Sequence, residues 1–185
     1  DLKQIGSLQK LSDLSLHESP CDDSGVKHLV GLTQLSTLDL SHTKISDAAL
    51  TTLQLIQTLT DLDLSNTAIG NKALQNLAQL TLLDSLTLAA TKITDAGLVH
   101  LQPLVKLTAL DLSDTAIGDA GIAHLTHLRE LTDIDLSGTK VSDAGLLYLY
   151  GLPNLSTIQL TDTKVSDSAV ERLQRRFSGA WIMHD

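Results

Sequence analysis

The sequence predicts an α/β solenoid, a right-handed coil of strand–turn–helix units with a parallel sheet on its concave side and helices on its convex side. Three observations predict it. Leucines recur every 24 residues without insertion, at Leu11, Leu35, Leu59, Leu83, Leu107, Leu131 and Leu155. Within each unit the apolar residues stand first two apart and then three apart, the signatures of a half-buried strand and of a helix. The acidic residues are almost all short, 19 Asp against 3 Glu, a bias toward caps and turns and away from long helices.

Numbered from its leading leucine, each unit has an apolar fourth place (Leu14, Leu38, Leu62, Leu86, Leu110, Ile134, Ile158) and sixth place (Leu16, Leu40, Leu64, Leu88, Leu112, Leu136, Leu160). That spacing buries one face of a short strand, so strands are predicted over 13–16, 37–40, 61–64, 85–88, 109–112, 133–136 and 157–160. The eleventh place (Cys21, Ile45, Ile69, Ile93, Ile117, Val141, Val165) carries the apolar series through the turn. The sixteenth (Val26, Leu50, Leu74, Leu98, Ile122, Leu146, Val170) and nineteenth (Leu29, Leu53, Leu77, Leu101, Leu125, Leu149, Leu173) then form a helical stripe. Short helices are predicted to begin within two residues of Asp23, Asp47, Asn71, Asp95, Asp119, Asp143 and Asp167. At Ser46-Asp47, Thr94-Asp95, Ser142-Asp143 and Ser166-Asp167 a hydroxyl or carboxylate is placed to accept from the free amides of a first helical turn, which accounts for much of the Asp surplus. Glycines at the fifteenth place (Gly25, Gly97, Gly121, Gly145) suit close packing between neighbouring units. One unit cannot bury its apolar face alone, so the units must stack.

A longer period lies over the first: Lys44, Ala68, Lys92, Ala116 and Lys140 alternate at the tenth place until Lys164 breaks the order, as duplication in pairs would leave it. Leu2, Ile5 and Leu8 fit the sixteenth, nineteenth and twenty-second places of an earlier unit. Residues 1–10 are therefore read as the C-terminal half of a preceding repeat, with more repeats or a cap expected upstream, and 11–176 as seven tandem units. At 177–185 the large side chains Phe177, Trp181, Ile182 and Met183 are placed to close the last unit, and this segment is read as a C-terminal cap with a degenerate edge strand around 180–183.

The stretch 107–125, LTALDLSDTAIGDAGIAHL, resembles a leucine-rich repeat, L-x-x-L-x-L-x-x-(N/C/T)-x-(I/L), close to the cysteine-containing subtype. It is most similar to the 24-residue bacterial form, in which Thr takes the Asn or Cys place. The resemblance covers nearly the whole chain and implies a binding scaffold, since such repeats serve many partners. It also implies a role for the ninth place, which here reads Ser19, Thr43, Thr67, Thr91, Thr115, Thr139 and Thr163: an inward side chain at the turn that links neighbouring backbones. A hydroxyl both donates and accepts, so a threonine ladder is expected to do this.

A net charge of −9, from 13 basic and 22 acidic residues, works against nucleic acid as a partner, because phosphate binding needs a basic stripe. It equally disfavours an anionic membrane surface. No apolar run approaches the roughly 18–20 residues of a membrane-spanning helix, so no membrane insertion is expected. The single cysteine, Cys21, makes no internal disulfide, which excludes a disulfide-framed mini-domain and leaves cytoplasmic and bacterial periplasmic or secreted settings open. With no glycine-rich phosphate loop, no Ser/His/Asp or Cys/His arrangement and no zinc-spaced cluster, neither cofactor, metal nor enzymatic activity is expected.

Outward side chains of the concave face come from the third, fifth and seventh places. The fifth reads Ser15, Asp39, Asp63, Thr87, Asp111, Asp135 and Gln159, and the third adds Asp13, Asp61 and Asp133. Stacking sets successive fifth-place carboxylates about 4.8 Å apart, where repulsion should raise their pKa values. Two acidic pairs then flank a neutral gap of Ser85, Thr87, Ala89 and Ala90. Asp39, Asp61, Asp63, Thr87, Asp111, Asp133 and Asp135 are thus the candidate surface for a protein partner, a basic one by charge. A divalent cation at Asp39/Asp61/Asp63 or Asp111/Asp133/Asp135 is a lesser alternative, and a face kept polar for solubility is the plain one. Carboxylate pairs in repeated environments on an open sheet, without a histidine partner, are poor ground for acid–base catalysis.

On the convex side His28, His100 and His124 share the eighteenth place, with His127 one turn on, and read as solvated helix histidines. The neighbouring Val99, Ala123 and Leu147 make, with Tyr148 and Tyr150, an apolar ridge. Tyrosines anchored on apolar surface are typical of interfaces, so Val99, Leu147, Tyr148 and Tyr150 are the alternative partner-binding set. The sequence points to a non-enzymatic protein-interaction module. A structural spacer or accessory repeat segment of a larger multidomain protein, and a cation-binding surface, are the alternatives.

Overall fold

The computed structural model describes residues 2–184, and across them the 24-residue period becomes a coil. Eight three-residue strands, β1 (Asp13–Ser15), β2 (Thr37–Asp39), β3 (Asp61–Asp63), β4 (Ser85–Thr87), β5 (Ala109–Asp111), β6 (Asp133–Asp135), β7 (Thr157–Gln159) and β8 (Trp181–Met183), form one open sheet in chain order. All neighbours are parallel, and each residue pairs with the one 24 positions on, as Leu38 with Leu62 and Asp39 with Asp63. An uninterrupted period is what holds this register, because a slip of one residue would turn every core leucine outward.

Parallel neighbours need a crossover, and here each is a turn and a helix. The helices are α1 (Leu2–Ile5), α2 (Asp23–Val26), α3 (Asp47–Leu53), α4 (Asn71–Leu77), α5 (Asp95–Leu98), α6 (Asp119–Ile122), α7 (Asp143–Leu149) and α8 (Asp167–Arg176). The seven from α2 onward begin at the seven residues expected. α2, α5 and α6 last one turn and tighten into 3-10 turns at Lys27–Leu29, Val99–Leu101 and Ala123–His127. Each of these three carries glycine, the poorest helix former after proline, in its first turn, where α3 and α4 carry Ala49 and Ala73. α7 keeps two turns despite Gly145.

The core is a stack of equivalent layers: Leu59, Leu62, Leu64, Ile69, Leu74, Leu77 and Leu80 of one unit are buried, as are their counterparts on either side. A buried leucine contributes roughly 1.5–3 kcal/mol, so each layer is held by its neighbours. In the first unit Leu11, Leu14 and Leu16 are only partly buried, because among the described residues β1 has a paired strand on one side only. At the other end Arg176 stands where the pattern has leucine, and its guanidinium lies 4.8 Å from the centre of the buried Phe177 ring while donating to the Tyr150 carbonyl at 3.3 Å.

The thirteenth-place acidic residues do something other than the capping expected of them. Asp23, Asp47, Asp95, Asp119 and Asp143 accept the backbone N–H of Ser46, Gly70, Gly118, Ser142 and Ser166, each in the next unit, at 2.6–2.8 Å. Asn71 does the same for Thr94 at 2.9 Å. Where that partner is serine, its hydroxyl adds a second bond to the same carboxylate (Ser46, Ser142, Ser166) and turns back to cap its own helix. Five of the 19 Asp residues thus latch one unit to the next, with the serine hydroxyl as the cap where there is one. The ninth-place threonines also depart from expectation. Thr43, Thr67, Thr91, Thr115, Thr139 and Thr163 donate to the carbonyl three residues back in their own unit, at 2.6–2.7 Å. The hydroxyl is short and the sixth-place carbonyl lies at the end of its own strand, so it closes the local turn, and side-chain links across units come from the thirteenth place and from second-place hydroxyls, as where Thr132 donates to the Thr108 carbonyl at 3.0 Å.

Candidate functional site

Asp39, Asp63, Asp111 and Asp135 each end a strand, and there a side-chain oxygen accepts the N–H two residues on: Ser41 at 2.9 Å, and Ser65, Ser113 and Ser137 at 2.8 Å. This side-chain turn is the ordinary structural use of Asp where a strand stops. It also pins each carboxylate on the concave side, half-buried beside its neighbours.

Of the seven concave residues, the structure gathers four. Thr87, Asp111, Asp133 and Asp135, with Thr157 and Gln159, line a shallow depression of about 180 Å³ floored by Leu86, Leu110 and Ile134. It lies over Ala109, which sits between Ser85 and Asp133 in the paired row and has the smallest side chain there, so the surface dips. Asp39, Asp61 and Asp63, on β2 and β3, lie outside it. All three third-place carboxylates are held by the preceding hydroxyl: Thr60 donates to Asp61 at 2.7 Å, Thr132 to Asp133 at 2.5 Å, and Ser12 to Asp13.

The rise in pKa expected in the fifth-place row is met at Asp111 and reversed at Asp39. Burial, reinforced by the charges of Asp135 and Asp63, pushes Asp111 up against the bonds it accepts from Ser113. Burial pushes Asp39 up as well, but the Ser41 hydroxyl and N–H, the Ser15 hydroxyl and nearby His17 together hold it below the usual carboxylate value. Hydrogen bonds to the ionised form outweigh burial there.

His17 and Ser41 join Asp39 on this face, though their spacing in the sequence does not single them out. The His17 Nδ1 lies 2.7 Å from the Ser41 Oγ, which donates to Asp39 at 2.5 Å, and the His17 ring meets His42 edge to face at 5.1 Å. The signal was the seventh place, which reads His17, Ser41 and Ser65 in successive units. That place is not uniformly outward as expected: Ser41 and Ser65 are buried, because the turn after the strand folds them under the next unit. A histidine does therefore stand beside a concave serine and aspartate, but with Ser41 only 3% exposed the trio is a structural network. Among the described residues no three of His, Cys, Asp and Glu converge as metal ligands would, so neither Asp39/Asp61/Asp63 nor Asp111/Asp133/Asp135 is gathered around a point.

On the convex side Val99, Leu147 and Tyr148 are exposed, Leu147 by 61%. Tyr150 is not part of that ridge: it is half-buried against the core. Among the described residues no helix is long and apolar enough to cross a membrane.

A family model described as a leucine rich repeat matches residues 32–53, 56–78, 105–126 and 123–149. No curated protein matches the chain. Among solved structures it is similar to an internalin of Listeria monocytogenes, with a TM-score of 0.73 and 24% identity over 100% of this chain and 57% of that one. It is similar to a leucine-rich-repeat protein of Leptospira interrogans, with a TM-score of 0.73 and 21% identity over 97% of this chain and 44% of that one. It is also similar to a plant peptide hormone receptor, RGFR1, in complex with RGF2, at a TM-score of 0.66 and 16% identity over 99% and 30%. The chain spans 57% and 44% of the length of the two bacterial proteins. At these identities the likeness is one of fold.

Proposed function

The chain belongs to the leucine-rich repeat family, and from that premise we propose that it is a non-enzymatic protein-interaction module engaging a basic protein partner through the acidic part of its concave face. One observation carries this reading: Asp111, Asp133 and Asp135 surround an open depression on the concave sheet, in a chain of net charge −9. Carboxylates arrayed on a rigid surface steer a cationic partner and set its register. The reading is tested with a hexalysine peptide and the two charges that border the neutral gap. Asp63→Asn and Asp111→Asn keep size and hydrogen-bonding capacity, so they should weaken binding without loss of fold. Added salt should weaken it too, since exposed charges are screened over about 8–10 Å. The exposure of Leu147 and Tyr148 favours a second reading, a convex interface. Should Leu147→Ala and Tyr148→Ala abolish capture of a protein partner that the two Asn variants bind normally, the convex ridge is the working surface and the acidic face serves solubility.

A further inference from the structure

The depression does not end at a wall. Thr157 and Gln159 form its far side, and the strand paired beyond them, β8, presents Trp181 and Met183 in the same rows of the sheet. The third-place row therefore runs Asp133, Thr157, Trp181, and the fifth-place row Asp135, Gln159, Met183. Trp181 is the chain's one tryptophan in a sequence of 2% aromatics, and instead of closing the last unit, as expected, it is 62% exposed. The indole is therefore accessible at the edge of an acidic surface, and its position in the row says what would fit.

Neighbouring strands are about 4.8 Å apart, so a group resting over Thr157 has the Asp133 carboxylate on one side and the Trp181 indole on the other at similar reach. A carboxylate attracts a cation, and the face of an indole attracts one within about 6 Å of its centre. Of the two common protein cations, the guanidinium is planar, stacks on aromatic faces and forms paired bonds to a carboxylate, whereas the ammonium is a compact, strongly hydrated charge. The second row suits the rest of the side chain: Met183 offers apolar surface to an alkyl stem, and the Gln159 amide oxygen accepts a further N–H.

We propose that the Asp133–Thr157–Trp181 row is a subsite for an arginine side chain of the protein partner, seated between carboxylate and indole. The proposal rests on the acidic concave face being the binding surface and specifies which part of it recognises which residue.

The lone tryptophan makes the test site-specific. The full chain is titrated with blocked hexa-arginine and hexalysine peptides while Trp181 emission and binding heat are recorded. The expected result is a saturable change in emission with hexa-arginine, tighter binding of hexa-arginine than of hexalysine, and roughly three- to tenfold weaker hexa-arginine binding after Asp133→Asn or Trp181→Leu. Asp61→Asn, a third-place carboxylate on β3 away from the depression, should leave hexa-arginine binding within twofold. Binding that produces heat but no change in Trp181 emission, or that responds equally to Asp61→Asn and Asp133→Asn, overturns the subsite and leaves the acidic face standing. Absence of binding by either peptide overturns both readings. Loss of the parent circular-dichroism spectrum in Trp181→Leu would pass the decision to Asp133→Asn, which keeps the side chain's size.

Discussion

Asp111 is ionised at the expense of the fold, because its surroundings hold its pKa above the ordinary 3.8, chiefly through burial. A carboxyl whose folded pKa is raised binds its proton more tightly in the native state, so stability falls as pH rises from 3.8 through the folded pKa and stays lower above it. Asp111→Asn copies the protonated form and still accepts the Ser113 N–H. It should therefore melt higher than the parent at pH 7, with the advantage shrinking as pH falls toward 3.8; equal melting temperatures at pH 7 would contradict the burial assigned to this group. The same variant is expected to weaken partner binding, so the concave face would trade stability for function at this residue. A second residue-scale cost sits at the eighth place, where Glu18, His42, Asn66, Ala90, Asp114 and Asp162 all adopt φ between 52° and 55°. Left-handed backbone is tolerated by Asn and Asp and is unfavourable for alanine. Ala90→Asn should stabilise by roughly 0.5–1 kcal/mol in denaturant unfolding. Gly138→Ala should do the reverse, since a Cβ there would stand 2.3 Å from the Asp114 Oδ1 at a φ of 67°.

Between elements, the latch from one helix start to the next governs how units are joined. Asp119 holds both the N–H and the hydroxyl of Ser142, so Asp119→Ala leaves a half-buried N–H unpaired and should cost about 1–3 kcal/mol, read as a shift in the denaturant midpoint. At Gly118 the latch from Asp95 has one bond only, and a Cβ would meet nothing nearer than 3.7 Å. Gly118→Ser should supply the missing hydroxyl bond and a helix cap, stabilising by up to about 1 kcal/mol; a loss of stability would show that the Ser142 arrangement does not transfer. Strands and helix starts were legible because periods of two, of about 3.6 and of 24 are written in residue type alone. The latch was not, because local capping explains the same Ser-Asp pairs and a bond spanning 23 residues matches no local template. Nor was the division of the acidic row, in which the serines that tie Asp39 lower its pKa while burial raises that of Asp111. The gathering of Thr87, Asp111, Asp133 and Asp135 away from Asp39 and Asp63 turned on the small Ala109, a residue with no chemistry to draw attention. Tyr150 shared its neighbours' residue type but packs against the core.

At the scale of the whole molecule each unit touches only the units before and after it, so stability is close to a sum of unit and interface contributions. The cost of losing the same methyl groups must then depend on how many interfaces a leucine serves. Leu112, buried at 0% exposure between β4 and β6, packs against layers on both sides. Leu16, its equivalent by register, is only partly buried among the described residues and borders an apolar hollow of about 370 Å³ lined with Leu2, Ile5 and Cys21. Leu112→Ala should lose roughly 2–5 kcal/mol, because transfer free energy and an unrelaxed cavity add. Leu16→Ala should lose less than half of that, because one wall of its cavity is already open. Denaturant unfolding of both variants checks the comparison. If the solenoid is a chain of coupled interfaces, Leu112→Ala should also broaden the transition, since a weak central interface lets the two halves unfold separately. Equal losses at the two sites, with transitions as sharp as the parent's, would mean that the units fold as one indivisible body and that nearest-neighbour coupling does not describe this protein.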